Sequence, residues 1–193
     1  IKTSAEVKEV NTVDGQGFQL ATTLGFFEAE SVVVASGGLS IPTLGGSGIG
    51  YDIAKQFGHH VYPTRAGLVP FTFSDHFKEV TTRLSGNAVE ATLSNPFNSF
   101  TEALLFTHRG LSGPSSLQLS NYWHSGQAFQ IDFLPSLDLH AFFKTKKTAQ
   151  PKVLLRTLLN EYLPKSVVLE LQSLIWLEHA DTAIGNLSDD KLE

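Results

Sequence analysis

The chain opens with short apolar runs that alternate with polar residues. Val7, Val10 and Val13 precede Asp14-Gly15, and Phe18, Leu20 and Thr22 alternate after it. Asp-Gly between two such runs predicts a β-hairpin, and residues 26–30 add a third short strand. The run Ser31-Val32-Val33-Val34-Ala35 has a different pattern, β-branched without polar alternation. It predicts a strand buried on both faces, as in a parallel sheet. The run ends at Gly37-Gly38, where the backbone can take positive φ or come close to a ligand. A glycine-rich loop, Gly45 to Gly50, leads into Ile49, Ile53, Ala54 and Phe57 at helical spacing, with Gly58 as the stop.

From Val61 to Phe106 the apolar runs are short and are broken by Pro, Gly, Asn and Ser. Residues 68–73, 88–93 and 103–107 are strand candidates, with a turn at Gly86-Asn87, and the spacing predicts a small antiparallel sheet or barrel. A second strand-to-helix junction follows through Thr107-His108-Arg109-Gly110-Leu111-Ser112-Gly113-Pro114, with a helix over 115–123 and a strand over 128–133 that stops at Pro135. The remainder is helical. Leu154, Leu155, Leu158, Leu159 and Tyr162 form one apolar face ended by Pro164, and Val167, Val168, Leu171, Leu174 and Ile175 form another.

Composition narrows the chemistry. The 193 residues are 41% hydrophobic and 17% charged, ordinary for a globular chain with a core of its own. The formal net charge is −5, and Lys144, Lys146 and Lys147 are the only basic cluster, so no nucleic-acid partner is expected. There is no cysteine, which excludes disulfides, thiolate zinc sites and thiol redox pairs and leaves redox chemistry to a cofactor. No apolar run reaches the length of about 18 residues that a membrane helix needs. The expectation is a cytoplasmic protein with a small-molecule substrate. The start at Ile1, directly before a strand, suggests a piece of a longer protein.

Few residues offer chemistry, and each has a plain structural alternative. The Gly45–Gly50 loop at a helix start presents N–H groups suited to phosphate, yet it lacks the Lys-Ser/Thr of a P-loop and the dinucleotide spacing of glycines. Otherwise it is a tight loop that lets a helix pack on a sheet. His108 and Arg109 suit a phosphate, a carboxylate or an anionic reduced flavin, or else an ordinary salt bridge and loop cap. The histidines show no metal-ligand spacing, and Ser112 lacks the Gly-x-Ser-x-Gly context of a hydrolase nucleophile.

Two segments together, Val33 to Pro42 continued by Gly45 to Gly58, and Leu105 to Pro114, resemble signatures of the BaiN/YhiN family of NAD(P)/FAD-dependent oxidoreductases, and Gly67-Leu68-Val69-Pro70 fits as well. The resemblance implies a mixed α+β chain in three parts. Residues 1–62 would be part of an FAD domain of the two-dinucleotide-binding type. Residues 63–135 would be a β-barrel-like insert, and 136–193 a helical insert. It also implies that Ser36, Gly37, Gly38, Gly46, Ser47, Gly48 and Gly50 lie against FAD, with His108 and Arg109 as candidates on the substrate side. Ser36 stands where many flavoproteins have Thr. The family's N-terminal glycine motif and its acidic ribose partner are not in this sequence, so the chain alone is expected to be inactive and free of FAD, with NAD(P)H as donor to the parent protein. Two readings compete: a barrel-and-helix module that binds a protein or RNA without catalysis, and a nucleotide-binding enzyme without flavin.

Overall fold

In a computed structural model every residue except Asp14 and Glu193 is described. The chain forms two compact units, Ile1–Arg65 and the residues from Ala66 onward.

The first unit is a three-stranded antiparallel meander of β1 (Val7–Thr12), β2 (Phe18–Thr22) and β3 (Gly25–Ala29), followed by helix α1 (Ile49–Gln56). The β1–β2 pairing realises the expected hairpin, although Asp14 of its turn signal lies outside the described residues. The Gln56 side chain donates to the Val10 carbonyl at 2.7 Å, and Phe57 meets Phe18 edge-on, so α1 is tied to the meander. Gly58 ends the helix region at φ +79°.

Residues 31–35 correct an expectation. The run is neither paired nor buried: Val33 is 89% and Val34 47% exposed. A strand is stable only when neighbours accept its backbone hydrogen bonds. Among the described residues no strand pairs with this run.

The second unit is α+β. Its five-stranded antiparallel sheet has the order β4 (Phe71–Thr72), β7 (Gly110–Ser112), β6 (Ser99–Thr107), β5 (Ala88–Ser94), β8 (Gln130–Asp132). In β5, Val89, Ala91 and Leu93 point into the core while Ala88 and Glu90 point out, the period of two that the sequence carries. The sheet curls into a half-barrel, open between β4 and β8. Phe71 on β4 stacks on Phe129, beside β8, with centroids 4.6 Å apart, and Trp123 packs edge-on to Phe71. This gives the barrel-like form.

Helix α3 (Pro114–Ser120) lies close to the sheet because its facing residues are small. Buried Ser115 and Ser116 donate to the carbonyls of Ala103 and Leu111 at 3.2 and 3.1 Å. Helix α2 (His76–Arg83) is not anticipated by the pattern, which assigns no element between the strand candidates 68–73 and 88–93. Asp75 caps it by accepting from the Phe77 N–H at 3.0 Å, and Val80, Thr81 and Leu84 are its buried face.

The helical remainder is α4 (Leu139–Ala149), α5 (Leu155–Leu159) and α6 (Lys165–Ile175). It shares one hydrophobic core with the sheet. The face expected over 154–162 is a short helix followed by turns, because Pro164 already starts α6. Of the second expected face, Val167 and Val168 are buried and Leu174 and Ile175 are exposed. No helix among the described residues is long and apolar enough to cross a membrane.

Candidate functional site

The glycine residues separate once their surroundings are known. Gly46 is held by the chain's own backbone: a β-carbon there would lie 2.4 Å from the Gly38 carbonyl oxygen and 3.0 Å from that of Ile41. Gly50, in the first turn of α1, sits on residues 34–36, with a β-carbon 3.2 Å from Ser36 Oγ. Both are explained by a helix packed on the preceding segment.

Gly37 and Gly45 adopt φ of +71° and +87°, where side chains are strained, and open space surrounds both. Gly38 and Gly48 need glycine for neither reason. Their β-carbons would make only ordinary contacts, with the Tyr51 hydroxyl at 3.6 Å and Leu39 at 3.7 Å. Ser47 stands between them, just before α1. Ser36 Oγ is buried and has no hydrogen-bond partner among the described residues. A buried hydroxyl without a partner costs about 1–3 kcal/mol. A segment outside helix and sheet, with a glycine open to approach at Gly37 and an orphaned hydroxyl at Ser36, fits a flat, polar-edged group such as a flavin ring.

His108 and Arg109 belong to the second unit, where they form the exposed two-residue turn between β6 and β7. The junction expected here as strand-to-helix is therefore a hairpin, with β7 between the turn and α3. Thr107 closes the turn, accepting from Arg109 N–H and Gly110 N–H at 3.3 and 3.1 Å and donating to the Gly110 carbonyl at 3.0 Å. Both turn carbonyls are engaged: Thr82 Oγ1 donates to that of His108, and Phe73 N–H to that of Arg109. Two further residues of the segment serve packing. A β-carbon at Gly110 would lie 2.1 Å from the Phe71 carbonyl oxygen, and one at Gly113 would lie 2.5 Å from that of Ala103. What remains available for chemistry is the pair of exposed side chains.

The perturbed carboxylates lie elsewhere. Arg83 hydrogen-bonds both oxygens of Glu170 and holds its carboxyl below the ordinary range, and Lys147 donates to Asp189 Oδ1 at 2.7 Å and lowers that carboxyl as well. These are ion pairs joining α2 to α6 and α4 to the C-terminal turn. No three His, Asp or Glu side chains among the described residues form a metal-ligating group. The pattern also leaves unseen a cavity of about 410 Å³ in the second unit, lined by Phe73, Phe77, Phe106, Phe129 and Phe133. It is apolar, and no single residue type in the sequence announces it.

Residues 65–193 match the family model described as the HI0933-like protein barrel and H2TH domain. The chain is 46% identical over 162 residues, 83% of its length, to a protein of Escherichia coli (strain K12) named ribosomal RNA dihydrouridine synthase. It is 39% identical over 188 residues, 95% of its length, to a protein of the same name from Haemophilus influenzae. A 3-dehydro-bile acid delta(4,6)-reductase of Clostridium scindens is 25% identical over 86% of the chain. The alignments cover 40, 45 and 43% of these relatives' own lengths, so the chain spans less than half of each. The matches are to enzymes, and they place the resemblance with the HI0933-like group rather than with BaiN itself. They also overturn one expectation. A net charge of −5 argued against nucleic acid, yet two relatives are named for ribosomal RNA. Net charge alone does not exclude RNA, because a folded RNA can be gripped through shape and stacking as well as through phosphates.

Proposed function

The chain belongs to the HI0933-like family, and on that premise we propose that the whole protein is a flavin-dependent reductase that converts a uridine of ribosomal RNA to dihydrouridine. The observation that carries this reading is the 46% and 39% identity to two ribosomal RNA dihydrouridine synthases, which extends over 83 and 95% of the chain. The more distant bile acid reductase is consistent in chemistry. Both names describe addition of two hydrogens to a carbon–carbon double bond conjugated to a carbonyl, the 5,6 bond of uracil in one case and a dienone in the other. Such a bond accepts hydride at its β-carbon and a proton at its α-carbon. A bound flavin, recharged by NAD(P)H, would supply the hydride.

In this reading the residues Ser36, Gly37 and Gly38 lie along the flavin, where the orphaned Ser36 hydroxyl gains a partner. Gly48 and Ser47 border the same approach, while Gly46 and Gly50 hold the loop in shape. His108 and Arg109, exposed on a rigid turn, are suited to an RNA phosphate. The pyrophosphate and ribose of the cofactor require a strand–glycine–helix unit that these residues do not contain, so we assign that role to another part of the whole protein. In this reading residues 1–62 belong to the flavin domain, 63–135 to a barrel-like insert and 136–193 to a helical insert.

The test is genetic and chemical. Ribosomal RNA from cells lacking the gene is digested and analysed for dihydrouridine, then compared with RNA from cells that carry it on a plasmid. The reading expects one dihydrouridine to vanish and return. An unchanged dihydrouridine content refutes it.

A further inference from the structure

One end of the second unit's sheet presents aromatic rings to solvent. Strands β5 and β6 are joined by Asn95-Pro96-Phe97-Asn98, and Phe97 at the tip is 84% exposed, more than any other aromatic ring of that unit among the described residues. The tip is rigid. Asn95 Oδ1 accepts from the N–H groups of Phe97 and Asn98 at 3.0 and 2.8 Å, and Asn95 N–H donates to the Asn98 carbonyl at 2.9 Å. Its side-chain amide donates to the Tyr122 carbonyl at 2.9 Å, which ties the tip to the end of α3. Tyr122 is itself half exposed and stacks on Phe100 with centroids 5.8 Å apart and planes 23° apart.

The charge pattern around these rings is unusual for an acidic chain. From Ala91 to Ile131 the sequence holds one carboxylate, Glu102, and one guanidinium, Arg109. The tip is bordered by neutral polar residues, with Ser94 paired to Ser99 on one side and to Gln130 on the other. Residues 94–99 of the tip carry no charge, and the nearest carboxylates in the register are Glu102, opposite Ala91, and Asp132, opposite Thr92; the tip offers rings and neutral polar groups, with no lysine or arginine to follow a phosphate chain.

We propose that this end of the sheet is a base-stacking platform, on which Phe97 lies against an unpaired base of the RNA and the Phe100–Tyr122 pair offers a second ring. The proposal rests on the RNA reading above and adds where this unit holds the RNA and by what force. Exposed rings fixed by their backbone lose little freedom when a base stacks on them, and amide and hydroxyl groups nearby can meet base edges. Contact is through bases rather than phosphates, so it favours unpaired RNA and depends weakly on salt.

The test uses the 193-residue chain and two fluorescein-labelled RNAs of about twelve nucleotides, one single-stranded and uridine-rich, the other a duplex. Phe97→Ala should weaken single-strand binding about tenfold, by the same factor at low and high salt, and Phe97→Trp should restore it. Because the ring is exposed, the melting temperature should not move. Equal binding by Phe97→Ala and the unaltered chain overturns the platform and leaves the RNA reading standing. Equal weakening toward duplex and single strand also overturns it, since the ring would then not act on unpaired bases. If the unaltered chain binds neither RNA the platform is likewise overturned, and the dihydrouridine content of the deletion strain decides the RNA reading independently.

Discussion

Replacing Gly110 by alanine should be among the most damaging single-atom changes in the second unit. The residue has φ +151°, a region that side chains rarely adopt. The added β-carbon would lie 2.1 Å from the Phe71 carbonyl oxygen and 3.0 Å from Thr72 Cα. Both neighbours are backbone, so relief requires β4 to move away from β7. That movement weakens the pairing of Phe71 with Leu111 and of Thr72 with Gly110, and disturbs Phe71 in its stack on Phe129. Backbone strain of about 1–3 kcal/mol adds to the loss of one or two ladder hydrogen bonds at about 1 kcal/mol each. The sum is about 2–5 kcal/mol, a large share of the stability of an ordinary domain. Gly86→Ala is the control, with φ +91° but nothing within 4 Å of the new atom, so only the conformational cost of about 1 kcal/mol applies. Urea unfolding at constant m-value separates the two. If Gly110→Ala is no worse than Gly86→Ala, the close approach of β4 is not what requires glycine, and the packing account of the Thr107–Pro114 segment fails.

Three further outcomes are expected. The Glu170 carboxyl is held below its ordinary value, chiefly by its hydrogen bonds to Arg83. Its contribution is therefore complete above the unfolded-state value and is lost as pH falls through the lower folded value. Arg83 is exposed, so solvent screens the pair, and Glu170→Gln should flatten the loss of stability on acidification in urea titrations. In the intact protein Gly38→Ala should lower flavin content while leaving the melting temperature of this chain unchanged, whereas Gly46→Ala should destabilise the first unit by about 2 kcal/mol; the opposite assignment would reverse the roles given to the two glycines. The chain by itself should show no saturable FAD binding at micromolar concentration in calorimetric titration, since that affinity needs about 8 kcal/mol and a few backbone donors supply about 1 kcal/mol each.

Much of the second unit is legible in the residues. The alternation in Val89, Ala91 and Leu93, Pro114 at a helix start and the apolar spacing of Val167 and Val168 all reflect burial that the structure shows. Helix α2 is hidden because one turn of buried residues, Val80, Thr81 and Leu84, follows aromatic runs that read as strand, although Asp75 marks its cap. The valines of residues 32–34 read as burial, but burial needs a partner surface, and composition does not say which residues supply it. The glycines were visible as a class. Whether a glycine is required by the chain's own backbone, as Gly46 and Gly110 are, or stands in open space, as Gly37 and Gly45 do, depends on contacts distant in sequence. Likewise Asn95-Pro96 signals a turn without showing that Phe97 is left in solvent, and net charge does not show that residues 94–99 are uncharged.

The central claim is tested most directly by a single turnover of the intact protein. The purified protein is reduced without oxygen and mixed with ribosomal RNA from the deletion strain, while the visible flavin band is followed and the RNA is digested for nucleoside mass spectrometry. The account predicts that the band returns on mixing and that one dihydrouridine forms per flavin reoxidised. A protein that carries no flavin, or one whose reduced flavin persists in the presence of this RNA without dihydrouridine, would contradict it.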